Sequence, residues 1–316
     1  MEGIAKAPGV KKYIIERHRS GMSRKIVMMD GAVGTSLWEK AEKKVSVWHY
    51  NIEEPKIVAE LHSEYLAAGS QIILANTFAA NGAEVARDSS YTVRQVVGTG
   101  VRIAKETING RAKVGLAIGP LTGLLKPFGE ITAERAKELF EEQIGCGMEE
   151  GPDLIYIQTF MDLEMMKIAI RAAKHYDVPV LCSMSFMGGA NAAGKKPKKA
   201  HTMMGNSVKD IVDAAVELKV DAIGINCSMG PVDALPVLRE YRETTDLPLV
   251  FKPNAGKPKM GDGQAAGAEF DIETFADDVL PAVDAGATYI GGCCGSNPAY
   301  IKRLAEKIRA KLKAEG

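Results

Sequence analysis

The stretch Val220-Asp221-Ala222-Ile223-Gly224-Ile225-Asn226-Cys227 decides the fold. It is a short, mostly apolar run without strict apolar–polar alternation. Such a run reads as a strand buried on both faces, as the strands of parallel sheets are. Seven more runs share this character, at 25–30, 71–76, 113–119, 153–159, 178–185, 247–253 and 287–293. Helical patterns separate them, for example over 55–68 and 133–150, and an amphipathic helix over 298–314 closes the chain. Eight strands alternating with helices across 316 residues predict an α/β protein. Its architecture is a single-domain (β/α)8 TIM barrel spanning 1–316, with residues 1–23 as an N-terminal helical extension. The alternative is an open doubly wound sheet. It is disfavoured because no glycine-rich phosphate fingerprint follows the first strand. The one G-x-G, Gly98-Thr99-Gly100, falls inside a helical stretch over 92–108. Connections after strands 1, 2, 3, 5 and 7 exceed what one helix needs, and in a barrel such loops build the active face.

Composition narrows the functional classes. Forty basic and 40 acidic residues cancel, so no global field favours nucleic acid. The 46% hydrophobic and 25% charged fractions are those of an ordinary soluble protein. No run approaches the roughly 18 apolar residues of a membrane span. The first 21 residues, MEGIAKAPGVKKYIIERHRSG, lack the apolar centre of a secretion signal. Five cysteines in so long a chain do not read as a disulfide framework, which points to the reducing cytoplasm.

Those cysteines carry the chemistry. Cys227 falls at the end of the sixth strand. Cys293 and Cys294 fall at the end of the eighth, in Gly291-Gly292-Cys293-Cys294-Gly295. Both strand ends lie on the rim where barrels place their active sites. Adjacent side chains on a regular strand point to opposite faces, so joint use of Cys293 and Cys294 requires a bend, which the flanking glycines permit. Three sulfurs suit zinc and leave one coordination place open. A zinc held by three thiolates is a poor activator of water and suits binding an incoming thiol and lowering its pKa, so thiol alkylation is the expected chemistry. Cys146, in a helix, and Cys182, inside a strand, read as packing residues. The histidines show no metal spacing. His62 lies on a helix, His201 in a basic loop and His49 just before Tyr50-Asn51 in a loop that can reach the site.

These motifs resemble the homocysteine S-methyltransferase family, nearly end to end. The matching stretches are Asp30-Gly31-Ala32-Val33-Gly34-Thr35, Ala75-Asn76-Thr77-Phe78, Gly119-Pro120, Asn226-Cys227 and Gly292-Cys293-Cys294-Gly295. The resemblance implies a (β/α)8 barrel, zinc held by Cys227, Cys293 and Cys294, and methyl transfer to homocysteine or a related thiol. It also implies that Asp30 and the backbone after it, at Gly31, hold the amino-acid end of the substrate. A carboxylate at a strand end can pair with an ammonium, which agrees. Asn226 is a candidate for the fourth metal position in the absence of substrate and for a substrate contact. No residue beyond the metal site is expected to act as a general acid.

Two positions depart from the family pattern. Gln158 stands where the family usually has a glutamate that binds the homocysteine amine, which removes the charge but keeps an acceptor. Ala79 stands where the betaine-using branch places a tyrosine. Lys252-Pro253-Asn254-Ala255-Gly256 is similar to a stretch in the homocysteine module of cobalamin-dependent methionine synthase, which implies methylcobalamin on a separate corrinoid protein as donor. A free sulfonium or ammonium donor would need no such partner. The loop over 188–201 carries four lysines within 195–199 and reads as a docking patch for an acidic partner or as a solvated loop. Met184, Met187, Met203, Met204 and Met229 fall near the rim. Two other classes stay open, a zinc hydrolase on the same barrel and a non-catalytic subunit that binds a corrinoid protein. The sequence carries no signal for oligomeric state.

Overall fold

The computed structural model describes residues 25–187, 200–256 and 270–315. The expected helical extension over 1–23 and the lysine cluster over 195–199 lie outside them. Eight parallel strands form one sheet: β1 (Val27–Met28), β2 (Ile72–Leu74), β3 (Lys113–Ile118), β4 (Leu154–Phe160), β5 (Val180–Met184), β6 (Ile223–Asn226), β7 (Leu249–Lys252) and β8 (Ala287–Ile290). Their order is β1-β8-β7-β6-β5-β4-β3-β2. A parallel bridge between Met29 and Ile72 joins the two ends. Around it the Gln71 amide donates to the Met28 carbonyl at 2.7 Å and the Asp30 amide to the Ile72 carbonyl at 3.1 Å. The ring is therefore the expected (β/α)8 barrel, and the open sheet is excluded.

Each strand is shorter than its apolar run, except that β4 extends one residue further, to Phe160. The lost positions are mainly strand ends that turn into the rim loops. Helix boundaries follow local chemistry. Pro55 opens the helix Pro55–Ala67, where its missing N–H costs nothing. Thr92 and Gln95 form a capping box at the start of Val93–Ile108, the helix that contains Gly98 and Gly100. The connection after β1 contains the short helix Gly34–Lys40, a 3-10 turn at Val47–His49 and the helix Tyr50–Glu53, so the length of that loop is taken up by structure.

The core has two shells. Met29, Ile72, Leu74, Leu154, Tyr156, Leu181, Val250 and Tyr289 pack together inside the barrel. The alternate strand residues, such as Ile73, Ile155, Ile157 and Phe251, pack outward on the helices. Residues two apart on a strand share a face, so Gln158 follows Leu154 and Tyr156 inward, and Lys252 follows Val250. The apolar interior is thus capped at the carboxyl ends of the strands by a polar layer. Cys182 is fully buried in β5 and Cys146 half-buried in the helix Ala133–Met148, in keeping with packing roles. Among the described residues, no helix is long and apolar enough to cross a membrane.

Candidate metal centre

Two loops, after β6 and after β8, deliver one sulfur cluster. The Sγ atoms of Cys227, Cys293 and Cys294 all lie within 4.8 Å of one another. Cys227 Sγ and Cys294 Sγ are 3.7 Å apart. Two sulfurs bound tetrahedrally to one zinc at about 2.3 Å each stand about 3.8 Å apart, so the spacing fits an ion between them. The group could hold a metal ion with soft, all-sulfur donors.

The segment 252–255, where β7 ends, positions all three cysteines through the backbone. The Cys227 amide donates to the Lys252 carbonyl at 3.0 Å, and the Cys293 amide to the Pro253 carbonyl at 2.8 Å. The Ala255 amide donates to the Cys294 carbonyl at 2.9 Å. Ser296 ties the same loop to β1: its Oγ donates to the Cys293 carbonyl at 2.7 Å and accepts the Ala32 amide at 3.2 Å.

The bend that aims the sulfurs lies partly elsewhere than the glycines suggest. Cys227 and Ser228 themselves adopt left-handed backbone, each at φ 59°. Of the glycines around the paired cysteines, Gly295 takes a positive φ, at 80°, whereas Gly291 and Gly292 do not. Those two answer a need for space. A Cβ on Gly291 would sit 2.5 Å from the Asp30 carbonyl oxygen, and one on Gly292 2.4 Å from Ser296 Oγ.

A buried polar network supports the cluster. Asn226 Oδ1 accepts the Thr159 amide at 2.8 Å and the Ser183 hydroxyl at 2.5 Å. Asn226 Nδ2 donates to Thr159 Oγ1 at 2.7 Å and faces Cys293 Sγ at 3.8 Å. Tyr156 and Ser183 share a further hydroxyl contact at 2.7 Å. The Asn226 oxygen therefore has two donors already.

Asp30 is fully buried beside this network. Its Oδ1 accepts from Lys252 Nζ at 2.6 Å, and its Oδ2 accepts the Leu74 amide at 2.7 Å. Lys252 is 2% exposed and stands 5.9 Å from the centre of the Tyr156 ring. Burial pushes the Asp30 carboxyl up, and the Lys252 ammonium pulls it part of the way back. Gly31 is backed by Ser296 Oγ and the Tyr65 hydroxyl, which leave no room for a side chain. Contact with Cys227, reinforced by burial, pushes the Cys293 thiol up to about 12. Cys227 and Cys294 each have one sulfur neighbour that lowers the thiol and one that raises it, and with burial both also end at about 12. Three clustered thiols resist ionising until a cation compensates them.

The remaining sequence candidates disperse. Met184 and Met229 are buried, whereas Met187 and Met203 are exposed. The His49 ring pairs with Glu53 at 3.1 Å and Asp88 at 3.3 Å. Sequence reasoning assigned no role to Lys252, Thr159, Ser183, Tyr156 or Ser296. Lys252 stood inside a quoted motif, and an inward-facing lysine on a buried strand was the signal that could have found it.

Comparison with known proteins agrees with this geometry. The profile of the family described as Homocysteine S-methyltransferase matches residues 27–308. The chain is 26% identical to a methionine synthase of Mycobacterium tuberculosis over 91% of its own length and 25% of that protein's. It thus spans about a quarter of that relative. It is 27% identical to an S-methylmethionine–homocysteine S-methyltransferase of Pongo abelii, over 95% of this chain and 82% of the relative. The metallated homocysteine methyltransferase MmuM of Escherichia coli superposes with a TM-score of 0.74, covering 90% of this chain and 96% of that one at 22% identity, which speaks for the fold.

Proposed function

The chain belongs to the homocysteine S-methyltransferase family, and from that premise we propose a zinc-dependent enzyme that moves a methyl group onto the sulfur of homocysteine or a related thiol. The observation that carries this reading is the convergence of three sulfurs from two strand ends within 4.8 Å. Cys227, Cys293 and Cys294 are the proposed ligands. When bound, zinc would supply the positive charge that keeps an incoming thiol deprotonated yet nucleophilic.

The chain's own residues do the rest. The segment 252–255 fixes the three cysteines relative to one another. Asn226 holds Thr159 and the Cys293 sulfur in register through its buried amide. Gly31, Gln158 and Asn226, backed by the buried Asp30, form the floor against which the polar end of the acceptor rests. The acceptor sulfur attacks the methyl carbon in line with the departing group, so orientation is the main demand on the protein. A neutral sulfide or a cobalt(I) corrinoid leaves without protonation, so no general acid is required. An all-sulfur centre favours this chemistry over hydrolysis.

For the donor, the resemblance of Lys252-Pro253-Asn254-Ala255-Gly256 to the cobalamin-dependent module supports methyl delivery by a separate corrinoid protein. The likeness to an S-methylmethionine-using relative supports a small sulfonium. Three free thiols of this kind suit a reducing cytoplasm. The deciding experiment crosses a panel of thiols with methylcobalamin, S-methylmethionine and betaine on zinc-loaded protein. One productive pair is expected. Zinc-loaded protein that methylates no thiol from any donor overturns the proposal.

A further inference from the structure

The floor beneath the sulfurs holds two formal charges, and they cancel each other. The inward positions at the strand ends are Gln158 on β4, Ser183 on β5, Asn226 on β6 and Lys252 on β7, with Asp30 just beyond β1. Gln158 is neutral. Asp30 is 0% exposed and has both carboxylate oxygens occupied, one by Lys252 Nζ at 2.6 Å and the other by the Leu74 amide at 2.7 Å. Neither oxygen is approachable from the site. An acceptor carrying an α-ammonium would have to shed water and settle near a buried ammonium, with no carboxylate of the floor left to receive it.

We propose that Lys252 is a specificity-determining residue: its ammonium fills the carboxylate site that an amino-acid thiol would otherwise use. The acceptor is then a thiol without a free α-ammonium, the class of mercaptoalkanoates and simple alkyl thiols. This inference rests on the reading of the cysteine cluster as a thiol-binding metal centre. Lys252 is suited to the role by its tether. Its backbone carbonyl holds Cys227 in place while its side chain reaches Asp30, so the cation has a fixed position relative to the sulfurs.

The test compares thiols that share one S–C–C–C unit, binding to zinc-loaded protein by titration calorimetry. The probes are homocysteine, its desamino analogue 4-mercaptobutyrate, and 1-propanethiol. The wild type is expected to bind 4-mercaptobutyrate at least tenfold more tightly than homocysteine. Lys252→Met should shrink that ratio by tenfold or more. Because Lys252→Met leaves a buried carboxylate without its partner and can fail to fold, Gln158→Glu is the second variant. It adds a carboxylate to the floor without touching the pair, and should raise homocysteine binding relative to 4-mercaptobutyrate by a similar factor. A merely structural Lys252 would shift all three thiols together and leave the ratios fixed. Homocysteine binding as tightly as 4-mercaptobutyrate in the wild type, or ratios unmoved in both variants, overturns the inference alone. Failure of every thiol to bind, propanethiol included, overturns the thiol-binding centre and the inference with it.

Discussion

Cys227 Sγ and Cys294 Sγ meet at 3.7 Å although 67 residues separate them in the chain. The contact exists because β6 and β8 flank β7, and the segment 252–255 at the end of β7 accepts or donates a backbone bond to each cysteine. Replacing Cys293 with alanine removes one of three soft donors and leaves two, too few for a closed zinc site. The Cys293→Ala variant should lose bound zinc and methyl transfer together. Atomic absorption on the purified variant measures the first, and near-stoichiometric zinc would sink the ligand assignment.

Asn226 offers a separate handle on the same centre. Its amide is the partner of the Thr159 amide, the Ser183 hydroxyl and the Thr159 hydroxyl. Thr159 sits at φ 66°, a strained position for a β-branched residue that this pairing stabilises. Asn226→Ala strands those groups in the interior and should cost about 2–4 kcal/mol of stability. Activity should fall by about 10- to 100-fold, the scale of lost orientation. Urea unfolding and steady-state assays read the two effects. A variant with unaltered unfolding midpoint would show that water replaces the amide without loss.

The barrel was legible because buried parallel strands leave continuous apolar runs, and each of the eight runs overlaps a strand. The cysteines were legible because strand ends in a barrel share one rim. The Lys252–Asp30 pair was not, since it joins residues 222 apart through the closure of β8 on β1, which no local period encodes. The left-handed turn at Cys227 and Ser228 was hidden as well, because neither residue type announces a positive φ. Gly291 and Gly292 were noticed for flexibility, and packing against Asp30 and Ser296 turned out to be their reason.

Metal uptake should be strongly proton-linked. In the metal-free protein, clustering and burial push Cys227, Cys293 and Cys294 up to about 12. All three are therefore protonated near neutral pH, and each must lose its proton to bind a metal ion. Zinc binding at about pH 7.5 should release close to three protons, and affinity should rise steeply with pH. Calorimetric titration in buffers of different ionisation enthalpy counts the protons. Release of one proton or fewer would mean that the thiols are already ionised before metal arrives.

His62 provides a test of the core that does not involve the metal. It lies on the helix Pro55–Ala67 with no solvent exposure, and neither ring nitrogen has a hydrogen-bond partner. Burial lowers its pKa from 6.5 to about 4. The folded state therefore holds a neutral imidazole while the unfolded chain takes up a proton below 6.5. The contribution is complete above 6.5 and is lost progressively as pH falls toward 4, amounting to about 3 kcal/mol over the whole window. By about pH 5.5 the loss should already be about 1.5 kcal/mol. His62→Leu substitutes an apolar side chain that does not titrate, so its urea midpoint should fall less between about pH 7.5 and 5.5 than that of the wild type. Parallel pH profiles for the two proteins would mean that the imidazole reaches water, or a charged partner, in the folded state.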